Sequence, residues 1–473
     1  MDNAKLQNID RSILQLLTTE QAWHYEVIPF EKKEGMLFCV AIEGKNTSKE
    51  ELEVLLGVDI RLEYITATVL QPLLSQYYRR QARAAKSKNL DKNQDILDQL
   101  IQEAYQLGSS DIHIETYERK CRVRIRIDGE LVERYHLDKA TYPSLVNKIK
   151  IRANLDIAEK RLPQDGRIFF ETNHQKFDLR ISILPTLYGE KVVMRLLSSD
   201  IGNIALEELG FQTQQLVDYM EGIKRPNGIV LISGPTGSGK TTTLYATLHL
   251  LNETSRNITT IEDPIEYTLE GINQVQLKEA IGLDFSAAMR TFLRQDPNII
   301  MVGEIRDKDT AEMAIRASLV GRLVLSTIHT NSAWGIIPRL VDMGIPAYLL
   351  ADTLNTAVAQ RLVRLLCPHC KEQKVLLENE DYPRNYKAPE LLEHHYTAKG
   401  CDHCYYTGYK GRKAVYEIIP IDEDLVHLIK QETFNVKAVL KEKQITTLAD
   451  NAFELLKEGL TSMDEIYPIL ASR

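Results

Sequence analysis

The sequence predicts an α/β protein built on a mostly parallel sheet, with two smaller α+β modules before it. Two observations support this prediction. After residue 228, helical patterns alternate with short apolar or β-branched runs at 229–233, 257–261, 299–302 and 323–327. A glycine-rich loop joins the first of these runs to the helix that follows it. Runs of this kind are typical of parallel strands whose sheet is covered by helices on both faces.

Length and composition indicate a folded chain of several domains. The chain has 473 residues, of which 44% are hydrophobic and 26% are charged; at about 150 residues per domain, roughly three domains are expected. The net charge of −8 excludes an overall basic field that would attract nucleic acid or anionic lipid. No uncharged apolar stretch reaches the roughly 18 residues that span a bilayer, and no secretory leader is recognisable. We therefore expect a soluble, cytosolic chain.

Changes of pattern along the chain predict its organisation. Residues 1–80 combine strand-like runs with helical patterns and predict a small α+β adaptor module. Residues 81–94 are polar and lack apolar periodicity, which is typical of a linker. Residues 95–203 predict a second α+β module. Residues 204–473 predict the domain with the parallel sheet, interrupted at 367–404 by charge, proline and histidine.

The glycine-rich loop predicts a nucleotide site. It matches the pattern GxxxxGK[ST] and, with the residue after it, comprises Gly234, Pro235, Thr236, Gly237, Ser238, Gly239, Lys240, Thr241 and Thr242. In such a loop, backbone N–H groups surround phosphate oxygens at a helix N-terminus. We expect Lys240 to neutralise the β- and γ-phosphates and the Thr241 hydroxyl to bind Mg²⁺.

Polar residues also follow the other three strand runs of the sheet. They are the acids Glu262, Asp263 and Glu266 after the second run, Glu304 after the third and His329 after the fourth. Three acids so close together are tolerated if a cation lies among them, and Glu304 is placed to hold the Mg²⁺ shell or to orient water. Because open α/β sheets bind ligands at the carboxyl ends of their strands, we expect these residues to surround one site.

Two CxxC pairs predict a structural zinc site. The pairs are separated by 30 residues and consist of Cys367 with Cys370 and Cys401 with Cys404. Four thiolates at this spacing are typical of structural zinc in a reducing compartment. Two redox pairs are the alternative, although redox CxxC motifs come singly at a strand–helix junction. His369 and His403 lie inside the pairs, and either is an alternative to one thiolate ligand.

In this order, the motifs resemble those of the type II secretion and type IV pilus-assembly ATPase family. The Walker A, Asp-box, Walker B and His-box segments of that family resemble residues 234–242, 260–267, 293–307 and 326–331. The resemblance continues upstream through residues 110–115, 126–129, 161–167 and 184–195, and covers roughly residues 95–420. It implies a RecA-like ATPase domain with a zinc subdomain, preceded by a PAS-like domain and an N-terminal docking domain.

The resemblance also implies roles for individual residues. Glu266 is expected to be the general base, Glu304 to hold Mg²⁺ through water, and His329 to contact the γ-phosphate. Arg180 and Arg195 match arginines of the PAS-like domain that clamp the charge of the nucleotide. Further arginines that the family places around the nucleotide match Arg290, Arg294, Arg306 and Arg412. For any one of these arginines, a surface ion pair is the alternative.

As a function, the resemblance implies a motor that hydrolyses ATP with Mg²⁺ at the inner face of the cytoplasmic membrane. It would form a homohexameric ring and power assembly of a pilus or secretion pseudopilus through an inner-membrane platform protein. The zinc subdomain favours assembly, because retraction ATPases typically lack it. Two alternatives remain: a nucleic-acid motor, against which the net charge of −8 counts, and a nucleotide-gated adaptor with little turnover.

Overall fold

The computed structural model of the chain divides into two compact units, Met1–Ser87 and Lys88–Arg473. It describes stretches within residues 9–78 and, beyond them, residues 96–172, 175–197, 204–375, 382–383, 386–390 and 392–471. The predicted linker at 81–94 lies outside the described residues. Within those ranges, no helix has the length and apolar character that crossing a membrane requires.

The first unit contains a three-stranded sheet with a small apolar core. Its elements are α1 (Arg11–Leu14), β1 (Val27–Lys33), β2 (Met36–Ile42), α2 (Lys49–Leu56) and β3 (Ile60–Ile65). Strands β1 and β2 pair antiparallel, and β3 runs parallel to β2. The unit combines strands and helices, as the α+β pattern of residues 1–80 predicted. Cys39 of β2 is buried in this core.

The second unit begins with an antiparallel six-stranded sheet in the order β6-β5-β4-β9-β8-β7. Its strands are β4 (Asp111–Thr116), β5 (Cys121–Ile127), β6 (Glu130–Leu137), β7 (Gln164–Thr172), β8 (Gln175–Thr186) and β9 (Gly189–Leu197). The helices α3 (Ile96–Gln106) and α4 (Tyr142–Arg152) share one core with these strands. We refer to this part as the small domain.

A seven-stranded sheet forms the rest of the second unit, in the order β12-β11-β13-β14-β10-β15-β18. Its strands are β10 (Gly228–Ser233), β11 (Ile258–Glu262), β12 (Asn273–Gln276), β13 (Ile299–Val302), β14 (Leu323–Ile328), β15 (Leu354–Leu366) and β18 (Tyr409–Pro420). Neighbours are parallel except for β15 and β18, which pair antiparallel. A separate antiparallel hairpin of β16 (Lys371–Val375) and β17 (His394–Ala398) lies between β15 and β18 in the chain.

Helices cover both faces of this sheet. They are α5 (Thr213–Lys224), α6 (Lys240–Leu251), α7 (Phe285–Phe292), α8 (Lys308–Leu319), α9 (Ile336–Asp342), α10 (Ala347–Thr353), α11 (Glu423–Lys430), α12 (Lys437–Glu442), α13 (Leu448–Lys457) and α14 (Met463–Leu470). The cores on the two faces are separate, one containing side chains of α5 and α6 and the other side chains of α7 to α10. Every residue of β10, β13 and β14 is buried. The predicted parallel sheet with two covered faces is therefore confirmed.

Gly222, in the interior of α5, allows this helix to lie directly on Thr356 of β15. A Cβ at Gly222 would lie 2.0 Å from Thr356 Oγ1. We expect Gly222→Ala to lower the free energy of unfolding by about 1–3 kcal/mol, because the added methyl group overpacks this contact. The loss is expected even though alanine normally stabilises a helix by about 1 kcal/mol relative to glycine. The midpoint of thermal unfolding of the purified chain measures the change.

Two further variants control this prediction. Adding Thr356→Ala removes the crowded hydroxyl, which is buried without a hydrogen-bond partner among the described residues, so the double variant should recover part of the loss. Glu221→Ala alters the exposed preceding position and should change stability by less than about 0.5 kcal/mol. Wild-type stability in Gly222→Ala would contradict the packing of α5 on β15.

Candidate functional site

The polar segments predicted from the sequence follow four consecutive strands of the large sheet. These strands are β11, β13, β14 and β10, which lie side by side in this order. All are parallel, so their carboxyl ends meet at one edge. Strand β10, which leads into the glycine-rich loop (the P-loop), is separated from β13 by β14. The chain therefore brings residues from four distant segments to the edge where such sheets bind ligands.

The glycine-rich loop turns between β10 and α6 in close contact with β15. A Cβ at Gly234 would lie 2.5 Å from the carbonyl oxygen of Gln360, and one at Gly239 would lie 2.9 Å from Gln360 Nε2. Gly239 has a φ of +88° and precedes the first residue of α6. The hydroxyl of Ser238 is buried, and no described residue hydrogen-bonds it. The first turn of α6 presents Thr241 to solvent. This loop fits a phosphate chain.

Lys240 points back over its own loop. Its Nζ donates to the carbonyl oxygens of Gly234 at 2.8 Å and Pro235 at 3.1 Å. Burial lowers the pKa of Lys240, and the nearby Glu304 carboxylate acts in the opposite direction. Among the ion pairs of the described residues, none joins Lys240 to a carboxylate within 4.0 Å. An ammonium group desolvated in this way, with two neutral acceptors, is placed to bind an anion.

Glu304 lies beside His329 and Arg306, two residues that were predicted to surround the nucleotide. Its Oε2 is 3.4 Å from His329 Nε2, which comes from the end of β14. Its Oε1 forms an ion pair with Arg306, which also lies 3.6 Å from Asp263 Oδ2. Arg306 therefore bridges the acids that follow β11 and β13. The structure places the predicted Walker B and His-box side chains together.

The three acids grouped by the sequence, Glu262, Asp263 and Glu266, have different protein partners in the structure. Glu262 is buried, and burial raises its pKa. Asp263 faces Arg306, at 3.6 Å. Glu266 Oε2 accepts from Arg180 Nη1 at 3.3 Å. Each acid has its own environment, because backbone direction separates side chains that are close in sequence.

Arg180 is the contact through which the small domain reaches the site. It belongs to β8 and donates to both the carboxylate of Glu266 and the carbonyl oxygen of Ile265. Burial lowers the pKa of Arg180, while Glu266 acts against this shift. The predicted general base and the predicted clamp are thus paired with each other in this structure.

The remaining predicted arginines have other partners. Arg195 Nε lies 3.1 Å from Asp111 Oδ1 within the small domain. The side chains of Arg290 and Arg294 donate hydrogen bonds to atoms of α7, with Ser286 Oγ at 2.7 Å from Arg290 Nη1 and the carbonyl oxygen of Arg290 at 2.9 Å from Arg294 Nη1. Arg412 Nε lies 3.7 Å from Asp128 Oδ1. The structure does not bring these four arginines to the glycine-rich loop through any contact between described residues.

Two residues of β15 that the sequence analysis did not name also lie at the loop. Gln360 Oε1 accepts from Thr243 Oγ1 of α6 at 3.0 Å. Arg361 Nη2 donates to the carbonyl oxygen of Asn331, the last His-box residue, at 2.8 Å. The signal in the sequence is a polar pair inside the mostly apolar run 354–366, whereas the other four segments were identified by polar residues that follow the end of a run.

The four cysteines form one cluster. Their sulfur atoms all lie within 4.8 Å of one another, with separations of 3.9 Å for Cys367 and Cys401, 3.7 Å for Cys370 and Cys404, and 3.8 Å for Cys401 and Cys404. Tetrahedral zinc with bonds of about 2.3 Å requires sulfur separations of about 3.8 Å. The distances fit zinc.

Groups around the cluster support the same interpretation. The backbone N–H groups of Cys401 and Gly408 both donate to Cys404 Sγ at 3.2 Å. Metal-bound thiolates commonly accept hydrogen bonds of this kind from the surrounding backbone. The rings of His369 and His403 stack, with centroids 4.2 Å apart. Neither histidine belongs to the metal-binding group found among the described residues. The four thiols thus supply a complete ligand set without either ring.

Comparison with known proteins agrees with the motifs. The family model described as Type II/IV secretion system protein matches residues 86–468. Type II secretion system protein E of Pseudomonas aeruginosa is 44% identical, over 78% of this chain and 74% of the relative. The type IV pilus assembly ATPase PilB of Myxococcus xanthus is 37% identical, over 98% of this chain and 88% of the relative.

A solved structure extends the comparison to the fold. The crystal structure of the pilus retraction motor PilT with bound ADP has a TM-score of 0.54 and 26% identity. The match covers 79% of this chain and 96% of PilT. The RecA-like fold class implied by the motifs is therefore confirmed. The chain belongs to the family of Type II/IV secretion system proteins.

Proposed function

We propose that this chain hydrolyses ATP to power the assembly of a type IV pilus or a type II secretion pseudopilus. The observation that carries the proposal is the convergence of Lys240, Glu304 and His329 at the edge of one parallel sheet. The relatives named for type II secretion and type IV pilus assembly supply the biological context.

The glycine-rich loop would bind the phosphates of ATP. Its N–H groups and Lys240 supply positive charge to a transition state in which charge spreads over the transferred phosphoryl group. Thr241 and Glu304 offer the hydroxyl and carboxylate oxygens that Mg²⁺ prefers. Bound there, Mg²⁺ would neutralise charge on the β- and γ-phosphates. His329, beside Glu304, would contact the γ-phosphate.

Glu266 would accept the proton of the attacking water. In this structure its carboxylate forms an ion pair with Arg180, which would have to open for Glu266 to reach a water molecule. The phosphate chain of ATP should attract a guanidinium more strongly than a single carboxylate does, because it carries more negative charge and more acceptor oxygens. We propose that nucleotide draws Arg180 away and leaves Glu266 free to orient water.

Other predicted residues would act only after a rearrangement. Arg195 would have to leave Asp111 to reach a nucleotide, and Arg412 would have to leave Asp128. Arg306 already lies beside Glu304, and Arg290 and Arg294 lie on or just after α7. In a ring, these side chains are proposed to complete the nucleotide environment as the domains move.

The working assembly is proposed to be a homohexamer at the inner face of the cytoplasmic membrane, acting on an inner-membrane platform protein. The relatives named as secretion and pilus-assembly ATPases support this proposal. The unit Met1–Ser87 is proposed to dock a membrane-associated partner. The zinc cluster would hold together the hairpin of β16 and β17 next to α13 and α14.

Substituting the proposed base should abolish turnover without abolishing nucleotide binding. We expect Glu266→Gln to lower kcat by about 10²–10⁴-fold, the usual contribution of a general base, with little change in ATP affinity. Lys240→Ala should impair both affinity and turnover, because it removes the cation of the loop. Steady-state phosphate release and nucleotide titration measure the two effects.

Glu270→Gln is the matched control, because Glu270 is an exposed acid of the same loop. Its turnover should stay within about twofold of wild type. Wild-type turnover in Lys240→Ala would contradict the nucleotide assignment, and wild-type turnover in Glu266→Gln would contradict the role of the base. Salt-dependent binding of single-stranded nucleic acid would favour a nucleic-acid motor instead.

The purified chain should contain about one zinc ion held by thiolates. We expect Cys401→Ser to lose the metal and to lower the midpoint of thermal unfolding, because a structural zinc site contributes directly to folding. His369→Ala should keep the metal, since the four sulfur atoms complete the ligand set. Elemental analysis measures zinc per chain; full zinc content in Cys401→Ser, or its loss in His369→Ala, would contradict the four-thiolate site.

A further inference from the structure

The hydroxyl of Tyr245 links the P-loop helix to the loop that carries Glu266. Tyr245 is fully buried in α6, the helix that begins at Lys240. Its hydroxyl donates to the carboxylate of Glu262 at the end of β11. The same hydroxyl accepts from the backbone N–H of Glu266, with 3.3 Å between nitrogen and oxygen. One side chain of the phosphate-binding helix therefore bonds the backbone of the proposed base.

Glu262 anchors this hydroxyl from inside the protein. Its carboxylate also accepts from Thr260 Oγ1 at 2.5 Å and from Gln274 Nε2 at 3.1 Å. Burial raises the pKa of Glu262, and the bonds from Thr260, Gln274 and Tyr245 satisfy its oxygens. Glu262 is thus occupied by the interior network and differs in this from Glu266, which faces the small domain through Arg180.

The same network fastens the rest of the loop. Gln274 of β12 accepts from the N–H of Leu269 at 2.7 Å and donates to the carbonyl oxygen of Tyr267 at 3.2 Å. The rings of Tyr245 and Tyr267 meet edge to face, with centroids 4.5 Å apart. The backbone of residues 266–269 is therefore held by side chains of α6 and β12. Among these contacts, the bond from Tyr245 is the one that reaches Glu266 itself.

We infer that Tyr245 is a positioning residue for hydrolysis, which sets the place of Glu266 relative to the P-loop. The inference rests on the proposed function, because it takes Glu266 as the base. A buried hydroxyl with both a donor and an acceptor partner has a defined orientation. Displacing a reacting group by about 1 Å can cost about 10²-fold in rate, so loss of this bond should be visible in turnover.

Tyr245→Phe tests the inference, because it keeps the ring and removes only the hydroxyl. We expect kcat for ATP to fall by about tenfold or more, while KM stays within about twofold, since the P-loop itself is untouched. Tyr219→Phe is the matched control. Tyr219 is also fully buried, and its hydroxyl hydrogen-bonds to Thr247 Oγ1 of α6 at 2.7 Å. Removing this hydroxyl should leave kcat within about twofold of the wild-type value.

Two readouts separate positioning from general destabilisation. Amide hydrogen exchange in the peptide containing Glu266 should accelerate in Tyr245→Phe and stay at the wild-type rate in Tyr219→Phe. In the Glu266→Gln background, adding Tyr245→Phe should change single-turnover hydrolysis by less than about twofold, because residues that act as a unit are not additive. An equal loss in both backgrounds would overturn the inference and leave Tyr245 with a structural role.

The failure of this inference is distinguishable from failure of the proposed function. Hydrolysis by the wild-type chain that is lost in Lys240→Ala supports the proposed function, whatever Tyr245→Phe does. Given that hydrolysis, wild-type kcat in a folded Tyr245→Phe variant would overturn the positioning role alone. An inactive wild-type chain would overturn the proposed function, and the inference with it.

Discussion

The parallel arrangement of β11, β13, β14 and β10 is the constraint on which the site depends. Parallel neighbours point their carboxyl ends the same way, so the segments that follow these four strands meet at one edge. Each of the four strands is therefore followed by one part of the proposed nucleotide site. The helices that make parallel connections possible also bury both faces of the sheet, which holds the strand ends in place.

Most carboxylates at this edge form ion pairs with arginines of the same chain. Arg306 lies between Glu304 and Asp263, and Arg180 lies on Glu266. Lys240 is different, because carbonyl oxygens of its own loop are its partners. A nucleotide with Mg²⁺ would bring both strong anions and a strong cation into this set. The ion pairs across the edge would then exchange partners, and Arg180 would carry that exchange into the small domain.

Local patterns made much of this structure predictable. The P-loop could be placed because a buried strand, a glycine loop and a helix follow one another within residues 229–251. The four-cysteine cluster could be placed because metal-ligand spacing is a property of short segments. Strand β15 was not predicted, because Gln360 and Arg361 interrupt its apolar run and its partners β10 and β18 are distant in the chain.

Side-chain pairing was beyond what the sequence could show. Arg180 and Glu266 are 86 positions apart, and their contact depends on how the small domain meets the large sheet. The different surroundings of the three clustered acids were equally invisible, since Glu262 is buried whereas Asp263 faces Arg306 and Glu266 faces Arg180. Residues that are close in sequence are also close in space, but the direction in which each side chain points depends on the local backbone conformation and on tertiary packing.

The most direct test of the central claim, that these strand ends form one nucleotide site, is a structure of the chain with ADP, aluminium fluoride and Mg²⁺. We expect the phosphates in the loop at Gly234–Thr241, the fluoride group between Lys240 and His329, and Arg180 moved from Glu266 towards it. Nucleotide bound elsewhere in the chain, or bound in the loop with His329 and Glu304 remote from the fluoride group, would contradict the account.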